Sequence, residues 1–194
     1  VYRWPTLIAL GPALLAAEGL SGIFRKRLLS DDELSQAVSV MTSLNRTPVD
    51  AMEGFDVHAV TDVTGYGLLG HLHEMMAASA TAGEVWVDRI PLLPAARRLA
   101  ARGIAPDGSR VNVRNLKPRL ERGADVSDED LLLLCDAQTS GGLLVALPQA
   151  QAEKYAARCR ELGATSAAVV GRVIAREDNA RLALRVAKDR KEAV

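Results

Sequence analysis

The sequence predicts an α+β fold, a mixed sheet with helices packed against it, and three observations lead there. Strand-like apolar runs and helix-like periodic runs both occur, but they do not alternate as a clean βαβαβ series. Ser30-Asp31-Asp32-Glu33 and Ser127-Asp128-Glu129-Asp130 each have the form that opens a helix, a hydroxyl followed by acidic residues that satisfy free backbone donors. The 194 residues are 48% hydrophobic and 25% charged, enough for one core of ordinary size.

Taken in order, the first helix covers residues 31–44, with Leu34, Ala37, Val38 and Met41 at helical spacing and Pro48 starting the next segment. Residues 56–64 read as a strand ended by Gly65, and 68–78 as a helix. A second strand covers 84–87, and a helix carrying Ala95, Leu99 and Ala100 covers 94–102. Across 103–125 the periodicity fails among Pro106, Gly108, Asn112, Asn115, Pro118 and Gly123, which predicts a long loop with a helical turn near Leu120. The second capped helix runs through Leu134, and a polar Gly-rich turn occupies 138–142. A buried strand at 143–147, an amphipathic helix at 149–162 and strands at 167–175 and 180–186 complete the chain.

Composition excludes several classes. Lys+Arg and Asp+Glu are equal at 24 each, which argues against a generally cationic nucleic-acid binder. The basic residues Arg110, Arg114, Lys117, Arg119 and Arg122, and the run Phe24-Arg25-Lys26-Arg27, read first as solvated faces. Two cysteines, Cys135 and Cys159, make neither a disulfide framework nor a zinc site, so a reducing, cytoplasmic compartment is expected. The longest apolar stretch, 7–17, is broken by Gly11 and Pro12 and falls short of the roughly 20 residues that span a bilayer. Arg3 before it and Ala16-Ala17 within it have the outline of a leader, but the chain opens on Val, and a piece of a longer protein is the expectation.

Two Gly-rich elements carry the chemistry. Thr61-Asp62-Val63-Thr64-Gly65-Tyr66-Gly67-Leu68-Leu69-Gly70-His71 joins a strand to a helix. Its glycines allow backbone N–H groups to approach a phosphate at a helix start, and Asp62 is placed to hold an accompanying Mg²⁺. A tight turn with a capping Asp is the alternative. Asp136-Ala137-Gln138-Thr139-Ser140-Gly141-Gly142-Leu143 runs from helix to strand and offers neutral hydrogen bonds, or else a helix C-cap. The candidate binding residues are therefore Thr64, Gly65, Gly67, Thr139, Ser140 and Gly141, with Asp62 for metal. Gly65, Gly67 and Gly70 also spell a dinucleotide fingerprint with Asp88 downstream, the alternative of a nicotinamide or flavin oxidoreductase. Against it, Asp62 and Thr64 stand where that fold wants buried aliphatics. His71 and His73 point to different faces of their helix, poor geometry for a shared metal, although His71 can line the loop. Cys135 reads as buried structure.

Together the two elements closely resemble the C-terminal half of the selenophosphate synthetase (selenide, water dikinase) family, relatives of aminoimidazole ribonucleotide synthetase and thiamine monophosphate kinase. Residues 106–116 and Gly171-Arg172-Val173 extend the resemblance over most of the chain from Asn45 onward. It implies a C-terminal α+β domain, residues 31–194, of partly ferredoxin-like topology, with 1–30 as a linking edge segment from an N-terminal domain. It implies ATP-dependent conversion of selenide and water to selenophosphate, AMP and phosphate, with Asp62 on Mg²⁺ and usually a homodimer. The catalytic Cys or selenocysteine and its Lys belong in the family to the N-terminal domain, so the resemblance assigns no catalytic residue here and predicts inactivity for these 194 residues alone. A diverged, non-catalytic domain is the further alternative. Two stretches depart from the family pattern: 7–13 lacks its Lys and hydroxyl, and Ala137 replaces its Pro.

Overall fold

The computed structural model describes residues 5–10, 28–176 and 184–189. In chain order the strands are β1 (Pro5–Leu10), β2 (Ala59–Asp62), β3 (Ala82–Trp86), β4 (Leu120–Arg122), β5 (Leu143–Pro148), β6 (Ala168–Ile174) and β7 (Leu184–Ala187). The helices are α1 (Asp31–Thr42), α2 (Arg46–Asp50), α3 (Gly67–Ala78), α4 (Pro94–Ala100), α5 (Asp107–Leu116), α6 (Asp128–Leu134) and α7 (Gln149–Glu161). Both capping boxes form: the Ser30 and Ser127 hydroxyls accept the Glu33 and Asp130 N–H groups, and those carboxylates accept the serine N–H groups in return.

The strands make one mixed sheet in the order β2-β5-β1-β6-β3-β7-β4. The first five pair antiparallel and the last three parallel, with β3 common to both parts. This is the expected α+β class. β5 shows why both faces need helices. Its Leu144 and Ala146 enter a core with Leu68, Leu69 and Leu72 of α3, Leu116 of α5 and Leu134 of α6. The alternating Leu143, Val145 and Leu147 pack instead on Tyr155, Ala156 and Cys159 of α7.

Three expectations are corrected. Pro5–Leu10 lies within the sheet, paired with β5 on one side and β6 on the other, so part of the segment set apart as 1–30 belongs to the same sheet as the rest. The segment 103–125 is not a loop but α5, a 3-10 turn at Lys117–Arg119 and β4. The buried stripe of α5 is Ser109, Asn112 and Leu116, helically spaced but mostly polar, so a search for apolar residues at core positions passes over it. The dinucleotide reading fails on topology: β2 and β3 flank α3 in sequence, yet β5, β1 and β6 lie between them, whereas that fingerprint needs neighbouring parallel strands. Residues 11–27, which include most of the apolar stretch, the leader outline and Phe24-Arg25-Lys26-Arg27, lie outside the described residues, as do the first four of the expected strand 180–186.

Candidate functional site

The two Gly-rich elements, some seventy residues apart in sequence, meet at one end of the sheet because β2 pairs with β5. Asp62, the exposed last residue of β2, stands opposite Leu143, the first residue of β5. The contact continues past the strand ends. Val63 N–H donates to the Gly142 carbonyl at 2.9 Å, and Gln138 N–H donates to the Thr64 carbonyl at 3.1 Å. Gly141 lies so close that a Cβ there would overlap the Val63 carbonyl oxygen. Gly67 has φ +70°, and a Cβ would come within 2.8 Å of the Cys135 carbonyl oxygen. Both glycines are thus required by contact between the loops, and Gly67 by its backbone as well. Gly65 has open space around it, so its lack of a side chain leaves the front of the turn clear.

A second layer holds the loops from behind. Asn112 of α5 donates from Nδ2 to the Gly65 carbonyl at 2.9 Å and the Cys135 carbonyl at 3.1 Å, tying one loop to the other. Ser109, fully buried, donates to Asp136 Oδ1 at 3.0 Å and accepts the Ala137 N–H at 3.1 Å. A proline at 137 has no N–H to give, so the Ala137 departure is matched by a bond of its own. On the other side Ser140 Oγ donates to the Met41 carbonyl at 2.8 Å, and Asn45 Nδ2 donates to the Gly141 carbonyl at 3.0 Å. A groove of about 620 Å³ opens there, lined by Ser43, Asn45, Arg46, Ser140, Gly141 and Ser166 among others. Ser109 and Asn112 were missed by sequence reasoning; a polar 109/112/116 stripe at helical spacing is the signal that could have found them.

His71, only 8% exposed, sits under the first loop. Its Nε2 lies 3.2 Å from Thr64 Oγ1, its Nδ1 lies 3.2 Å from Glu74 Oε2, and the Tyr66 ring covers it at 5.5 Å. His73 is apart from this chain of contacts, half-buried, and burial lowers its affinity for a proton. Cys135 lies behind Gly67 and 1% exposed; burial, reinforced by the Asp136 carboxylate, pushes its thiol up to about 12, which leaves it inert as a nucleophile. Asp88 accepts the Asp189 N–H, on a part of the sheet separated from the β2–β5 end by β1 and β6. In the basic run, Arg110 donates to the Gly103 carbonyl, Arg119 to the Asn115 carbonyl, and Arg122 to Val126 and Asp128.

A divalent cation fits this donor set only in part. Among the described residues no three His, Cys, Asp or Glu side chains gather, and Asp62 is a single exposed carboxylate at a strand end. Mg²⁺ is commonly held by one or two carboxylates together with substrate phosphates and water, so one aspartate beside two Gly-rich loops suits such a shared site and not a closed protein cage.

The fold and the paired loops define a class: the chain belongs to the family of AIR synthase related proteins, C-terminal domain, which it matches over residues 6–182. Within that family its sequence is most informative beside selenide, water dikinases. It is 34% identical over 154 residues to that of Clostridium botulinum (strain Eklund 17B / Type B), covering 79% of this chain and 44% of the relative. It is 39% identical over 158 residues to that of Myxococcus xanthus (strain DK1622), covering 80% and 45%. The chain therefore spans less than half the length of these curated relatives. Among solved structures, Escherichia coli HypE superposes with a TM-score of 0.64 at 21% identity, over all of this chain and 49% of that one. Thiamine monophosphate kinase from Aquifex aeolicus superposes with a TM-score of 0.58 at 11% identity, over 96% and 50%. At these identities the structures establish the fold alone.

Proposed function

We propose that the chain is the C-terminal domain of a selenide, water dikinase, an enzyme that turns selenide, ATP and water into selenophosphate, AMP and phosphate. The observation that carries this reading is the meeting of the Asp62 strand end with the 138–142 loop, held by backbone bonds on both sides. Relatives named selenide, water dikinase support the chemistry. A solved HypE complex with ATP, similar in fold, agrees with nucleotide use. Phosphoryl transfer depends chiefly on positioning and charge neutralisation, which is what such loops provide.

In this reading Asp62 is the ligand this domain gives to Mg²⁺, which when bound would neutralise phosphate charge. The backbone N–H groups around Gly65, Gly67 and Gly141, and the Thr139 hydroxyl, orient the nucleotide, while Ser140, its hydroxyl proton given to the Met41 carbonyl, holds the second loop in place. Asn112 and Ser109 keep the two loops in register, and the remaining acidic ligands and the nucleophile come from another domain of a cytoplasmic homodimer. Phosphorus NMR on the full-length protein tests the reaction. Selenide-dependent appearance of selenophosphate with AMP and phosphate is expected, and nucleotide turnover indifferent to selenide would refute the assignment.

A further inference from the structure

A strand at the edge of an antiparallel pair leaves every second residue's main-chain N–H and carbonyl without a neighbouring strand. β2 is one edge of this sheet and pairs with β5 on its inner side. The bond from the Val63 N–H to the Gly142 carbonyl fixes the alternation. Thr61 and Ala59, in phase with Val63, face Leu144 and Ala146, so Val60 and Asp62 turn their N–H and carbonyl groups to the open side. The Asp62 carbonyl accordingly accepts from the hydroxyl of its own neighbour, Thr61, at 3.2 Å.

The two edges of the sheet differ. β4, at the far edge, is three residues long, has Glu121 and Arg122 exposed and follows Pro118, features that ordinarily keep an edge from pairing. β2 has neither lysine nor proline, and its one charge is Asp62. Its Val60, opposite the fully buried Val145, is 48% exposed, and Val49 of α2 is 52% exposed. Ala51 and Met52, just after Val49, belong to the same apolar cluster as Val145. The open edge thus combines free main-chain groups with uncovered apolar side chains and ends at the single carboxylate of the candidate site.

We propose that this edge takes an extended segment from the rest of the full-length protein, which pairs with Val60 and Asp62 and continues the sheet beyond β2. The chain spans less than half the length of its dikinase relatives, and a lone carboxylate at a strand end needs partners from elsewhere. A residue set opposite Asp62 by such pairing has its Cβ about 5 Å from that of Asp62. One docking event therefore closes the edge and carries side chains of the other domain to the site. The proposal rests on the dikinase reading for the existence of that domain, and not for the direction of the main-chain groups.

Amide hydrogen exchange resolved to single residues, in the 194-residue chain and in the full-length protein, tests it. Thr61 and Val63 are expected to be protected in both. Val60 and Asp62 are expected to exchange rapidly in the chain and at least about tenfold more slowly in the full-length protein. Equally rapid exchange in both proteins overturns the proposal, and protection in the isolated chain that grows with its concentration overturns the occupant, by making it a second copy. Proline substitution checks the direction, since an edge strand accepts proline where the N–H faces outward. Val60→Pro is expected to leave the urea midpoint of the chain nearly unchanged while abolishing Asp62 protection in the full-length protein, whereas Thr61→Pro, which removes a bond to β5, lowers the midpoint. Equal loss of stability from the two variants overturns the outward assignment. No readout here uses nucleotide or selenide, so nucleotide turnover indifferent to selenide refutes the dikinase reading separately.

Discussion

At the scale of single residues, the site is built from side chains that are absent as much as from those present. Gly67 combines a left-handed backbone with contact against the Cys135 carbonyl, so Gly67→Ala should lower stability by about 2 kcal/mol or more, read as a shift in the urea midpoint. A change within a few tenths would show that the loops yield more easily than their contacts imply. Asn112 is the polar counterpart. Asn112→Ala leaves the Gly65 and Cys135 carbonyls without their buried donor and should cost about 1–3 kcal/mol, with faster hydrogen exchange in both loops. Cys135 offers a check on packing. With its thiol pushed up to about 12 by burial, it should resist alkylation in the native protein near neutral pH and react only on unfolding. Rapid native labelling would mean that the 128–136 segment opens.

At the scale of elements, the two capping boxes predict how the fold responds to acid. Glu33 is held below the usual carboxylate range by the Ser30 N–H first and then by Arg98. For Asp130 burial is the largest influence and opposes its charge, yet the Ser127 N–H and hydroxyl with Arg97 outweigh it and keep it low. A carboxyl depressed in the fold is protonated more readily in the unfolded chain. Its contribution is therefore complete above the unfolded value near about 4 and is lost as pH falls through the lower folded value. The urea midpoint should fall on acidification below about pH 4, and Asp130→Asn should be less stable at neutral pH and flatten that fall. A parallel profile in the variant would assign the acid response to other groups. These helices were legible in sequence because Ser30 and Ser127 each precede acidic residues that return the hydrogen bond. β5 was legible from its apolar run, and the two Gly-rich loops from their composition. α5 was not, since Ser109 and Asn112 put polar groups on the buried stripe to serve the loops instead of the core. Nor was the interior place of β1, because strand order depends on long-range pairing that no local pattern encodes.

At the scale of the whole molecule, the core and the candidate site answer to different requirements. Helices cover the sheet on both faces through separate apolar clusters, and the described residues build a continuous fold. The site at the β2–β5 end has one exposed carboxylate and two loops, and the chain covers less than half the length of its dikinase relatives. These 194 residues alone are accordingly expected to produce no selenophosphate while folding cooperatively. The central claim is that Asp62 and the paired loops form this domain's share of an ATP–Mg²⁺ site. Thermal unfolding of the full-length protein with and without Mg-ATP tests it most directly, compared between the wild type and Asp62→Asn. The account predicts stabilisation of the wild type that requires the metal and is largely lost in the variant; no stabilisation, or equal stabilisation of both proteins, would contradict it.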